Sequence, residues 1–178
     1  MLCEKIVYTP EYAGRVDLIT GIKNFETNIE YDEEWHIYKL NGVILPSVTS
    51  LLDSGEYKNV DKDILKYAQE KGTLVHKEIQ EYLEENKEGI TSEFYEFLEL
   101  YKKNQELFKS KAIFDFKTNS VATPAIREKC YKQIKMYAKA IKYLTNEEIE
   151  NYYMVHLPHN KKSKIYDLKR EFEQNEKD

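Results

Sequence analysis

Ile113-Phe114-Asp115-Phe116-Lys117-Thr118 alternates bulky apolar side chains with one acid and one base. In an extended strand, residues two apart share a face. Asp115 and Lys117 therefore project together, while Phe114 and Phe116 point to the opposite side. Residues 111–117 read as a strand. A carboxylate beside an ammonium at a strand end can hold a divalent cation and steady a developing anion. On an exposed edge the same pair is an ordinary ion pair of little energetic consequence, and a lone Asp-x-Lys is far more often that.

On the N-terminal side of this strand, residues 93–109 place Phe94, Phe97, Leu98, Tyr101 and Leu107 at helical spacing. Residues 73–85 form another helix, with Leu74, Val75, Ile79 and Leu83 as its apolar stripe and Glu81, Glu84 and Glu85 outside. Residues 60–70 read as a separate helix that stops at Lys71-Gly72. Residues 47–52 make a short helical turn; Ser47 and Thr49 are read as helix-capping hydroxyls. Residues 36–40 and 43–45 flank Asn41-Gly42, a strong hairpin signal, and Pro46 closes it. Residues 4–8 and 14–19 are two short strands around a turn containing Pro10. On the C-terminal side, Thr123-Pro124 opens a helix as N-cap and first helical residue, running to about Tyr143. Residues 152–157 and 164–168 form a second hairpin through a lysine-rich loop, and 171–178 are polar and expected to fray.

The implied fold class is α/β (α+β), a small mixed central sheet flanked by helices. At 178 residues the chain is expected to be one domain. It divides into a strand hairpin over 1–24, a hairpin plus helices over 25–110, the core strand, helix and terminal hairpin over 111–170, and a polar tail over 171–178. No run of about 18 apolar residues is present, and residues 1–17 lack the apolar region of a secretory signal. The expectation is a cytoplasmic protein without a membrane partner. Cys3 and Cys130 make neither a disulfide framework nor an iron–sulfur site. Gly-rich phosphate loops and the Gly-x-Ser-x-Gly elbow are absent from the sequence. With 27 Lys+Arg against 32 Asp+Glu the net charge is −5, which counts against a simple phosphate-coating protein. The charge is uneven, however. Residues 101–143 carry 11 Lys+Arg and 3 Asp+Glu, which predicts a polarised molecule with a basic side around Asp115 and Lys117.

Three further motifs stand out. In Ala13-Gly14-Arg15-Val16-Asp17-Leu18, the glycine allows a close approach by backbone or substrate. Asp17 interrupts an apolar stretch, which is costly without a partner or a metal; alone, it reads as a strand-edge acid facing water. Gly72-Thr73-Leu74-Val75-His76 sets a histidine on an amphipathic helix, where a structural role is commoner than ligation, although neutral imidazole suits manganese-type ions. Gln133-Ile134-Lys135-Met136-Tyr137 puts Gln133 and Tyr137 on one helical face. Trp35 is read as a hairpin packing residue rather than a base-stacking platform. His156 and His159 make a poor metal site without further ligands. The 15 tyrosines are read as packing with their hydroxyls at the surface.

Taken together, the four motifs resemble the PD-(D/E)xK nuclease superfamily, in its RecB-like exonuclease branch. That branch shows a Gly-x-x-x-His helix, a Gly-x-x-Asp strand, an Asp-x-Lys strand and a Gln-x-x-x-Tyr helix. Leu45-Pro46-Ser47-Val48-Thr49 also looks like the Pro-Ser-Val-Thr opening of phage and bacterial members. The resemblance runs from Glu4 to about Leu168. It implies a restriction-endonuclease-like core and an Mg²⁺- or Mn²⁺-dependent deoxyribonuclease. Such an enzyme would be an exonuclease of phage or bacterial DNA processing or recombination. DNA would be its partner, with a recombination or replication protein as a further one. By the same resemblance Asp17, Asp115 and Lys117 take catalytic positions. Asp17, Asp115, His76 and the Phe116 carbonyl would hold one or two ions, and Gln133 and Tyr137 would contact substrate or hold Lys117. Glu4 matches a strand position that is acidic in some relatives, its role left open. A nuclease-fold protein that binds nucleic acid or a partner without cutting is the alternative, and a helical scaffold with accidental motifs a third reading.

One departure concerns order. In the family the Gly-x-x-Asp strand lies between the His helix and the Asp-x-Lys strand; here it comes first, as if the hairpin over residues 4–24 had been transposed. The expectation is that this hairpin still pairs beside residues 113–117 and brings Asp17 next to Asp115. The alternatives are a strand contributed by another chain, or an artefact of how the chain was assembled.

Overall fold

The computed structural model describes residues 1–53 and 61–173. Strands β1 (Leu2–Tyr8) and β2 (Ala13–Thr20) form the N-terminal hairpin. A small sheet follows: β3 (Glu30–Asp32), β4 (Ile37–Leu40) and β5 (Val43–Leu45). Helices α1 (Val48–Leu51), α2 (Lys62–Glu85), α3 (Ser92–Lys103) and α4 (Gln105–Lys109) precede the central strand β6 (Ala112–Lys117). Helix α5 (Pro124–Thr145), strands β7 (Asn151–His156) and β8 (Lys164–Asp167) and helix α6 (Leu168–Glu173) complete the fold.

The main sheet has the order β1-β2-β6-β7-β8. β2 and β6 are antiparallel, with Leu18 across from Phe114 and Ile19 across from Ile113. β6 and β7 are parallel, with α5 as the crossover, and β7 and β8 are antiparallel. The fold is thus mixed α/β. Two cores lie on opposite faces of the sheet. On one, Ile113, Val16 and Met154 meet Cys130, Ile134 and Ile141 of α5. On the other, Phe114, Phe116 and Leu18 meet Val75 and Ile79 of α2, Phe94 and Phe97 of α3, and Phe108 of α4. The alternation read in residues 113–117 is therefore the alternation between two cores, and Asp115 interrupts the one beneath α5. Thr123 caps α5 through its side chain, which accepts from the Ile126 N–H, and Pro124 occupies the first turn. Ser47 caps α1 by accepting from the Ser50 N–H.

Several expected boundaries move. The helix stop at Lys71-Gly72 does not occur: α2 runs unbroken through Gly72 to Glu85. Its apolar face continues in register into the core through Val75 and Ile79, which outweighs the intrinsic cost of about 1 kcal/mol for a mid-helix glycine. The expected helix over residues 93–109 is two helices meeting at Asn104. The Asn104 N–H and its Nδ2 both donate to Leu100 O, ending α3 locally. Residues 171–173 do not fray but belong to α6. There Glu171 pairs with Arg127 at 2.8 Å and Phe172 stacks on Tyr131. β3 was not legible in the sequence. Trp35 is 69% exposed in the β3–β4 turn and does not pack into the hairpin. The expected helix start at Val60 and the tail over 174–178 lie outside the described residues.

Candidate active site

The N-terminal hairpin lies beside β6 in the same chain. The β2–β6 ladder ends at Leu18–Phe114, one residue before Asp17 would face Asp115. Beyond it the backbone bond gives way to a side chain: the Phe116 N–H donates to Asp17 Oδ2 at 2.7 Å. The strand pair β1–β2 is distorted at the same level. Cys3 pairs with Leu18 and Lys5 with Val16, so Glu4 lies across from Asp17, yet no ladder pair forms between these two. Glu4 has φ of 46°, a costly conformation for a residue with a Cβ. The alternation slips here too: Val16 packs in the α5 core and Leu18, two residues on, in the opposite one. This kink gathers the Glu4 and Asp17 carboxylates at one point of the sheet.

His76 reaches that point from α2. Its Nε2 lies 3.0 Å from the Phe116 carbonyl oxygen and its Nδ1 lies 3.6 Å from Asp17 Oδ1. A carbonyl can only accept, so Nε2 carries the hydrogen in that contact. The other nitrogen then presents a lone pair towards a carboxylate, an arrangement that a metal cation between them would satisfy. Ligand atoms of Glu4, Asp17 and His76 all lie within 4.8 Å of one another. Two carboxylates and an imidazole are a donor set that fits Mn²⁺ and, through its oxygens, Mg²⁺. Glu4, whose role the sequence left open, therefore belongs to this cluster; the signal was its place opposite Asp17 in a hairpin. Asp115 is not one of these three residues. It is 3% exposed and is held by Lys117 Nζ at 2.7 Å and by the Cys130 thiol, which donates to Oδ2 at 3.2 Å. The Phe116 carbonyl, expected as a ligand, is engaged by His76.

Electrostatics follow from burial. Desolvation raises the Asp17 carboxyl above the usual range, and the nearby Asp115 adds to it, against the pull of His76, Lys117 and the Phe116 N–H. Burial and Asp17 push Glu4 up to about 7, opposed by Arg15, whose Nε lies 2.7 Å from Glu4 Oε2. For Lys117, burial disfavours the charged form. Asp115, supported by Cys130 and Asp17, outweighs that and raises its pKa, so Lys117 stays an ammonium. Burial, then Asp115, raises Cys130, which stays a thiol and a donor.

Gln133 donates from Nε2 to Tyr137 Oη at 2.9 Å. Tyr137 is only 3% exposed and its ring lies against Gly14. It packs against β2, and of the two Gln133 is the more accessible. The basic span also resolves differently from expectation. Lys132, Lys135, Lys139 and Lys142 of α5 line an outer groove with Lys169 and Ile149, whereas Cys130 and Tyr137 turn to the sheet. These lysines do not make a basic side at Asp115. His156 and His159 form no joint site: His156 Nε2 is 2.7 Å from Asn119 O and His159 Nδ1 is 2.9 Å from Glu93 Oε1.

Among the described residues no helix is long and apolar enough to cross a membrane. No family model matches the chain, and no curated protein or solved structure does.

Proposed function

We propose that the chain is a metal-dependent deoxyribonuclease of the PD-(D/E)xK type, hydrolysing phosphodiester bonds as an exonuclease of phage or bacterial DNA processing. The observation that carries the reading is the 2.7 Å bond from the Phe116 N–H to Asp17. It joins the Gly-x-x-Asp strand to the Asp-x-Lys strand despite their reversed order in the sequence.

Glu4, Asp17 and the free nitrogen of His76 would hold Mn²⁺ or Mg²⁺, with Asp115 beside them. When bound, such an ion supplies Lewis-acid polarisation of the phosphate and a lowered pKa for water. Lys117 contributes a fixed positive charge. Because Asp115 keeps it protonated, it serves to orient water and stabilise charge on the phosphoryl oxygens, not to abstract a proton. Cys130 and Lys117 hold the Asp115 carboxylate in place from two sides. Tyr137 and Gln133 brace β2 so that Asp17 stays aligned.

Degradation of linear DNA in Mn²⁺ tests the reading. The wild-type chain cuts and EDTA stops it. Lys117→Ala lowers the rate by about 10²–10³-fold, and Asp115→Ala does at least as much, with the far-UV circular dichroism unchanged. Full activity in either purified variant rejects the assignment. Retarded DNA without any cutting by the wild-type chain would instead favour a nuclease-fold binding protein.

A further inference from the structure

The α5 lysines turn away from Asp115, which raises the question of which basic groups flank the site. β6 and β7 run parallel with Lys117 across from His156, so the segments after both strands leave the sheet at the same end. The segment after β7 is Leu157-Pro158-His159-Asn160-Lys161-Lys162-Ser163-Lys164. It is bonded directly to the chain that follows the Asp-x-Lys motif. The Leu157 N–H donates to Lys117 O at 2.8 Å, His156 Nε2 meets Asn119 O at 2.7 Å, and Lys161 Nζ donates to Ser120 O at 3.1 Å.

The loop is also anchored from the helical side. Glu93, at the start of α3, is 2% exposed. Its Oε1 takes Lys71 Nζ at 2.6 Å and His159 Nδ1 at 2.9 Å, and its Oε2 accepts from the Ser92 hydroxyl at 2.9 Å. The Ser163 N–H is directed to Glu96 Oε2 at 3.4 Å. Of Glu93 and Glu96, which bond the loop, Glu93 is thus compensated by Lys71. Lys161, Lys162 and Lys164 remain exposed at the surface, and Lys164 rests over the Tyr166 ring at 4.7 Å.

We infer that the β7–β8 loop is a phosphate-binding track, in which Lys161 and Lys162, with Lys164 behind them, grip the sugar–phosphate backbone of DNA next to the bond being cut. The inference rests on the nuclease reading for its substrate. Its chemistry is that of lysine point charges on a pinned loop: they bind phosphates irrespective of base, releasing counterions as they do so. The Glu93 anchor fixes where the loop stands relative to Lys117. The lysines therefore set the position of the strand as well as its affinity.

The test is fluorescence anisotropy with a labelled oligonucleotide in Ca²⁺ or EDTA, measured over a series of salt concentrations. Lys161→Ala/Lys162→Ala is expected to weaken binding about tenfold or more at low salt. It should lower the slope of log K against log [salt] by roughly 0.7–0.9 per lysine. The matched control is Lys139→Ala/Lys142→Ala on the outer face of α5, which removes the same charge and is expected to leave binding and slope nearly unchanged. Equal losses in both double variants, or unchanged affinity in the loop variant, overturn the inference, as does failure of the wild-type chain to bind DNA. Binding that depends on Lys161 and Lys162, in a chain that never cuts DNA with Mn²⁺, would sustain the track and reject the nuclease reading alone.

Discussion

At Gly14 the missing side chain is what lets Tyr137 lie against β2. A Cβ built there would stand 2.5 Å from Tyr137 Cε1 and in tight contact, 3.3 Å, with Val48 Cγ2. The residue is a packing device three positions before Asp17: it draws α5 onto the strand that carries the carboxylate. Gly14→Ala is expected to destabilise the protein by about 1–3 kcal/mol, the usual cost of overpacking a filled core. Tyr137→Leu in the same chain should recover part of it. Urea denaturation of the single and double variants checks both, and a Gly14→Ala protein as stable as wild type would contradict the close packing. The Gly-x-x-Asp pattern was visible in the sequence. That the approaching group is a tyrosine from a helix 123 residues away was not, because nothing local encodes which surface will meet the glycine.

Within helix α2, Gly72 and His76 stand one turn apart and both face the end of β6. A Cβ at Gly72 would meet Thr118 Oγ1 at 3.3 Å, while His76 reaches Phe116 and Asp17. The glycine leaves room for the Thr118 hydroxyl, and it does not act as a stop because Val75 and Ile79 carry the helix on into the core. Two effects oppose each other in Gly72→Ala: a helix-propensity gain of about 1 kcal/mol and a crowded Thr118 hydroxyl that must rotate. The propensity gain wins, since a side-chain hydroxyl yields more readily than backbone. The variant is expected to gain about 0.5 kcal/mol, and nearer 1 kcal/mol when Thr118→Ala is added. Chemical denaturation of the two proteins measures the difference; a loss of stability in the double variant would show that α2 needs the glycine for backbone contact. The apolar periodicity on each side of Gly72 was legible, but the choice between stop and continuation was made by Val75 and Ile79 entering one core.

Over the molecule as a whole, the carboxylate cluster couples stability to pH and to metal. Burial raises Asp17, and burial with Asp17 raises Glu4 to about 7. A raised carboxyl pKa means that the folded state holds its proton more tightly than the unfolded chain. The associated stability is fully present below the ordinary value of 4.5 and is lost as pH rises through about 7. Metal-free protein is therefore expected to lose on the order of 2 kcal/mol between about pH 5 and pH 8. Mn²⁺ replaces the protons, so its stabilising effect should grow over the same interval. Thermal melts with and without Mn²⁺ read both trends. Glu4→Gln should flatten the metal-free curve and weaken the metal effect. An Mn²⁺ shift that shrinks as pH rises would contradict ligation by these carboxylates.

The sequence by itself determined many of the elements and their inward faces, among them the alternation in residues 113–117, the Asn41-Gly42 hairpin and the Thr123-Pro124 helix start, but not β3, the continuity of α2 through Gly72 or the break at Asn104. The first three are readable because strand and helix periods and cap chemistry act over a few neighbouring residues. It also held the four motifs, but as separate fragments in an unusual order. Only the tertiary structure decided that β2 lies beside β6, that the strands part at Asp17, and that Glu4 joins Asp17 and His76. Only the tertiary structure, too, set lysines of α5 along an outer groove and bonded the β7–β8 loop to the chain that follows Lys117. The physical reason is range. Which strand pairs with which, and which end of a parallel pair a loop leaves from, depends on burying two apolar faces of one sheet at once. That condition is met by the whole chain together and is written in no single stretch of it.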